Sequence, residues 1–225
     1  MELAGLNTLD VNRRAVDGAI LAIPLGATEQ HGPHLPLSTD TDIAVALCSR
    51  LAQARSDVLV APAVAYGSSG EHAGFAGTLS IGQPATEALV VELCRSATDT
   101  FARVVLVSAH GGNHEPVARA VATLRSELRD VLLYEPRWTG DAHAGRSETG
   151  MQLALNPAAV RMELAEAGDL RPTSQIGALL RAGGVRAVSA NGVLGDPTGA
   201  TRGEGDQLLT ALANALIVEV EQWAA

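Results

Sequence analysis

Short runs of β-branched and aliphatic residues alternate along the chain with stretches whose apolar positions recur every three or four residues. That alternation predicts an α/β fold, with a largely parallel sheet covered by helices. Ala19–Pro24 reads as a first strand, followed by a long polar loop through Leu37. From Asp40 to Arg55, apolar Ile43, Leu47 and Leu51 recur every fourth residue, as one face of a helix does. Val58–Val64 is a second strand, Thr86–Phe101 a helix, and Arg103–Ser108 a buried strand running into His110-Gly-Gly-Asn113. The next helix starts near His114 or Glu115, with Pro116 in its first turn, where a missing N–H costs little. Its buried stripe is Val117, Val121, Leu124 and Leu128. Val131–Tyr134 is a further strand, Ser147–Leu155 is helical, and a second short helix follows Pro157 to about Ala167. Beyond Val185–Ser189 comes a loop rich in turn residues, Gly192 to Thr201. A final helix over Asp206–Trp223 carries Leu209, Leu212, Leu216 and Val220 on one side. No repeat, low-complexity tract or linker divides the chain, so residues 1–225 are expected to form a single domain.

The composition, 47% hydrophobic and 18% charged over 225 residues, suits one domain with a sizeable core. No apolar run reaches the ~18–20 residues of a membrane helix. The first residues lack the basic-then-apolar pattern of a secretory signal, so a cytoplasmic location with no membrane partner is expected. A net charge of -9 argues against nucleic acid, which demands clustered positive charge. All 16 basic residues are arginine; without lysine there is no GxxxxGK[ST] phosphate loop and no Schiff-base chemistry. No G-x-G-x-x-G follows a predicted strand, which leaves a dinucleotide site unsupported. Cys48 and Cys94 sit on apolar helix faces and read as small buried hydrophobes.

The chemistry must therefore lie in the polar loops. The six histidines, His31, His34, His72, His110, His114 and His143, all fall in loops or at helix starts, and four follow predicted strands. In open α/β sheets, sites form beyond the carboxyl ends of the strands. Glu29 and His31 are two apart, so in an extended loop they project to the same side. Asp40 lies at a helix start, as does Glu148, where the dipole favours a carboxylate. His110 ends a buried strand beside two glycines that let backbone approach closely. Read alone, Glu29 is equally a solvated loop charge, and Asp40 and Glu148 are equally helix-terminal charges. Glu71 and His72, in a glycine-rich loop, are expected to shape a substrate pocket, and Asn113 to orient a substrate carbonyl. His114 reads as helix surface, and His34 as peripheral.

Six segments, in this order, resemble the creatininase family of metal-dependent amidohydrolases. They are Glu29-Gln-His31-Gly-Pro-His-Leu-Pro36, Thr39-Asp40, Gly70-Glu-His72 with Gly77-Thr-Leu79, His110-Gly-Gly-Asn113, His143-Ala-Gly145 with Glu148-Thr149, and Gly192-Val-Leu-Gly-Asp-Pro197. The resemblance implies a three-layer αβα sandwich, a homo-oligomer and a two-metal centre at the carboxyl edge of the sheet. It implies that Glu29 and His110 bind one metal, His31 and Glu148 the other, and that Asp40 bridges them. Such a donor set suits zinc, iron(II) or manganese. His143 is then expected to protonate the leaving amine, or to fix Glu148.

Two departures from creatinine-opening enzymes stand out: Gly112 where those carry a glutamate, and Thr149 where they carry a histidine. Their ring-holding tryptophans are also unmatched, since the chain has only Trp138 and Trp223. The run Tyr66–Ser80 instead resembles a branch of the family that cuts a modified precursor peptide near its C-terminus, releasing a Val-Tyr-derived product. The readings that follow are, in order, hydrolysis of that peptide and hydrolysis of a small amide, by deformylation or lactam opening. A non-enzymatic metal-binding scaffold comes third, and a metal-free α/β binding protein last.

Overall fold

A computed structural model describes residues 1–225. Its four strands are near-continuous apolar runs, because both faces of the sheet are covered. They are β1 (Ile20–Leu25), β2 (Val58–Val60), β3 (Arg103–Ser108) and β4 (Asp130–Tyr134), all parallel in the order β2-β1-β3-β4. Successive side chains point to opposite faces. Ile20, Ala22, Val58, Val60, Val105 and Val107 join one apolar cluster, and Leu21, Ile23, Leu59, Val104 and Leu106 join the other.

Three helices cover the first face: α2 (Thr39–Ala54), α5 (Arg146–Leu155) and α7 (Arg202–Ala224). Ile43, Leu47 and Leu51 of α2, and Leu209, Leu212, Leu216 and Val220 of α7, are buried there as their spacing predicts. The second face is covered by α1 (Thr8–Val16), α3 (Gly82–Ala97) and α4 (His114–Ser126). The layers form the expected αβα sandwich, and both cysteines are buried and free within it. No helix is long and apolar enough to cross a membrane.

Several boundaries differ from expectation, each for a local reason. Pro62 has no N–H for the ladder, so β2 stops at Val60 and Val64 keeps only an isolated bridge to Leu25. The α3 helix starts at Gly82 rather than Thr86, because Pro84 is tolerated in a first turn whose N–H groups have no helical acceptors. It ends at Ala97, short of Phe101. Leu128 does not extend the stripe of α4: the chain turns there with φ 61°, and the side chain is 94% exposed. Two 3₁₀ turns, Pro157–Ala159 and Met162–Leu164, replace the second short helix. A helix without a counterpart in the sequence reading, α6 (Thr173–Gly183), packs a single buried residue, Ile176. The α7 helix begins at Arg202 behind a reciprocal cap between Thr201 and Glu204.

All four strands point the same way, so the loops after β1, β2, β3 and β4 emerge at one edge. That edge holds the site. Leu216 sits wholly buried between α7 and the sheet. Leu216→Ala is expected to cost about 2–5 kcal/mol, read as a lowered denaturation midpoint with an unchanged slope.

Candidate metal centre

The β1 loop carries Glu29 and His31 inward, and α2 brings Asp40 on its first turn. His110 follows β3, and Glu148 rides the first turn of α5. All five side chains are buried. Ligand atoms of Glu29, Asp40 and His110 lie within 4.8 Å of one another, and so do those of His31, Asp40 and Glu148. Asp40 is common to both groups. Its Oδ1 is 3.2 Å from His31 Nε2, and its Oδ2 is 3.2 Å from His110 Nδ1.

Backbone groups aim these side chains. His31 Nδ1 faces the Glu29 carbonyl at 3.1 Å, which turns Nε2 toward Asp40 and, at 3.9 Å, Glu148. The Ser68 carbonyl lies 2.9 Å from His110 Nε2, which turns Nδ1 inward. The Ala144 N–H donates to Glu148 at 2.6 Å. To do so Ala144 adopts φ 52°, a left-handed conformation that costs a residue with a Cβ.

The electrostatics call for positive charge. Burial pushes Glu29 up to about 7, with the Asp40 charge adding to it and His110 opposing. Burial, again with Asp40, also raises Glu148. Burial disfavours charge on His31 and His110, but the surrounding carboxylates outweigh it and raise both to about 10. Those imidazoles in turn hold Asp40 well below the usual carboxylate range despite its burial. Glu29 Oε2 and Asp40 Oδ2 are buried and accept no well-formed hydrogen bond, each facing a His110 ring nitrogen only off-axis, at 3.3 and 3.2 Å. Orphaned carboxylate oxygens of this kind are uncommon unless an ion satisfies them. The donor set therefore fits divalent cations.

The other expected residues divide. His143 is buried beside the cluster, with Nε2 2.9 Å from the Gln30 carbonyl and Nδ1 3.7 Å from Glu29 Oε1; burial, then His31 and His72, lower its pKa. It does not fix Glu148, a task that falls to the Ala144 N–H. Glu71 lies at the cavity wall, with Oε1 3.9 Å from His110 Nε2. His72 uses both ring nitrogens internally, on Gln30 at 2.8 Å and Glu29 at 3.1 Å, so neither is free for substrate. Asn113 does not reach the cavity: its amide accepts from Ser68 N–H and donates to the Gly26 carbonyl, tying two loops together. His114 lies on the helix surface, paired with Glu135 at 2.9 Å. His34 is buried against Thr149 at 2.9 Å, outside the cluster.

Above the cluster lies a cavity of about 460 Å³, walled partly by Trp138, Arg137 and, from α6, Thr173 and Leu180. It adjoins a second cavity of about 680 Å³ that shares Arg137, Trp138 and Thr173. The sequence reading passed over this wall and over Gln30, whose one signal was its place between Glu29 and His31.

The family model described as "Creatininase: Creatinine amidohydrolase" matches residues 4–220. The chain belongs to the creatininase family. It is 45% identical over 215 residues to the mycofactocin precursor peptide peptidase of Mycolicibacterium smegmatis, covering 91% of this chain and 85% of that one. A crystal structure of creatinine amidohydrolase (creatininase) superposes with TM-score 0.83 at 25% identity, over 98% of this chain and 96% of that one. A creatininase of Zn-Zn type matches the fold equally, at TM-score 0.83 and 23% identity over 98% and 97%. This creatininase-family hydrolase thus shares its whole architecture with known members.

The cluster predicts zinc uptake by the cation-free protein. Zinc at about 100 times its dissociation constant adds about 2.7 kcal/mol, which is about 5–10 °C in Tm for a chain of this length. The charged imidazoles must lose protons to ligate, so uptake weakens as pH falls. A Tm unmoved by zinc and by chelator would contradict the prediction.

Proposed function

We propose that this hydrolase cleaves a peptide bond near the C-terminus of the modified mycofactocin precursor peptide, releasing a Val-Tyr-derived product. The observation that carries this reading is the 45% identity, across 91% of the chain, to a protein named as a mycofactocin precursor peptide peptidase. In this reading two divalent cations, zinc, iron(II) or manganese, would be held by Glu29 and His110 on one side and by His31 and Glu148 on the other. Asp40 would be shared between them.

When bound, the cations lower the pKa of water and polarise the scissile carbonyl. The chain's own groups do the rest. His143 is neutral, with its Nε2 proton held on the Gln30 carbonyl and Nδ1 turned toward the cluster, so it can take a proton and return it to the leaving amine. Glu71 offers an acceptor at the cavity wall for a substrate N–H. The paired cavities provide room for several residues of extended chain, more than a small lactam fills. An enzyme of this kind acts in the cytoplasm as a homo-oligomer, which light scattering measures.

The second reading, hydrolysis of a small amide at the same centre, remains chemically sound, but the creatinine case is disfavoured by space. A Cβ on Gly112 would lie 2.1 Å from the Ser68 carbonyl and 2.3 Å from Glu71 Oε1, so a glutamate there would require the Ser68 backbone to shift. Trp223 bonds Asp130 at the opposite end of the sheet, leaving Trp138 as the single tryptophan at the cavity.

Incubating the metal-loaded enzyme with modified precursor peptide and reading product masses tests the proposal. The expected result is one cut near the C-terminus. An intact peptide alongside turnover of a small formamide or lactam would favour the second reading.

A further inference from the structure

Gln30 lies between two of the proposed ligands, yet its buried side chain turns into a separate polar crossroads. Its amide is held at both ends. Oε1 accepts the Gly32 N–H at 2.9 Å, and Nε2 donates to the Gly192 carbonyl at 3.1 Å. A flipped amide would set N–H against N–H at Gly32 and oxygen against oxygen at Gly192, so its orientation is fixed. The close approach depends on glycine at 192: with φ 82° there, a Cβ would fall 2.0 Å from Gln30 Oε1.

This orientation dictates where a histidine carries its proton. Gln30 Nε2 has two N–H groups and three neighbours: the Gly192 carbonyl, His72 Nδ1 at 2.8 Å and His143 Nε2 at 3.2 Å. His143 Nε2 spends its own proton on the Gln30 carbonyl, so the second Gln30 N–H goes to His72 Nδ1, which must accept. An imidazole carries at least one ring proton, so with Nδ1 bare that proton sits on Nε2. His72 Nε2 is 3.1 Å from Glu29 Oε1 and therefore donates to it. That bond leaves the orphaned Glu29 Oε2 turned toward His110, 3.3 Å away. It has a second consequence. Ligand atoms of Glu29, Glu71 and His72 are close enough to form a rival cation site, but a nitrogen bearing a proton has no lone pair to offer one.

We propose that Gln30 is a positioning residue: its amide locks His72 in the Nε2–H form, which holds Glu29 in place for a metal and keeps His72 out of the ligand set. The role given to Glu29 rests on the metal reading above; the His72 tautomer does not. The relay runs from the Gly32 N–H through Gln30 and His72 to the Glu29 carboxylate, and selects which of the clustered side chains can ligate.

The test is ¹⁵N NMR of the full-length chain labelled at histidine, cation-free and then titrated with zinc, with His72 assigned by comparison with His72→Gln. His72 is expected to keep its proton on Nε2 and a bare Nδ1 throughout, while His31 and His110 respond to zinc. A proton on Nδ1 before zinc, or loss of the Nε2 proton on adding it, would overturn the proposal. Gln30→Glu replaces the donor by an acceptor, and is expected to put a proton on His72 Nδ1 and weaken zinc binding about 10–100-fold. A folded Gln30→Glu protein with Nδ1 still bare and zinc binding unchanged would also overturn it. Silence of His31 and His110 toward zinc would sink the metal reading instead, and the His72 tautomer would still decide the relay.

Discussion

Three carboxylates, Glu29, Asp40 and Glu148, are buried together at the carboxyl edge of the sheet, each within reach of an imidazole. Taking such charges out of water is costly unless opposite charge is supplied at close range. In the cation-free protein His31 and His110 supply it as imidazolium, and Glu29 and Glu148 hold protons more readily than exposed acids do. Two of their oxygens, Glu29 Oε2 and Asp40 Oδ2, still accept no well-formed hydrogen bond. Much of the surrounding architecture can be understood as keeping this strained group in place until cations neutralise it.

The scaffold does so by separating packing from chemistry. Two apolar layers, one on each face of the sheet, fix where the strands end. The loops beyond them are then anchored by backbone-directed bonds: Asn113 ties the β1 loop to the loop after β2, and carbonyls of Glu29 and Ser68 orient the two imidazoles. The left-handed Ala144 shows that some local strain is accepted where it aims an N–H at Glu148.

The fold was legible because its strands and helices follow simple periods: the faces of α2 and α7 are buried residue for residue as their spacing indicates. The α6 helix was not, since only Ile176 of it is buried and a helix with so little core contact leaves a faint apolar pattern. Leu128 misled for the converse reason, having helical spacing but standing past the turn that ends α4. At the site, Glu29, His31, Asp40, His110 and Glu148 converge as a group. The roles of His72 and Asn113 were hidden because they depend on partners distant in sequence: Gln30 and Glu29 for one, Gly26 and Ser68 for the other. Spacing carries no information about which nitrogen of an imidazole is already spent. The crowding at Gly112 is similar, because the atoms that fill its space come from Ser68 and Glu71.

Asp40 belongs both to the group formed with Glu29 and His110 and to the group formed with His31 and Glu148, and the central claim is that it is shared between those two cation positions. Elemental analysis of purified wild-type and Asp40→Ala protein tests this directly, with circular dichroism to establish that the variant is folded. The account predicts about two transition-metal ions per chain in the wild type and loss of both in the variant, because a shared ligand serves two ions. A folded Asp40→Ala protein that retains its full complement of metal would contradict it.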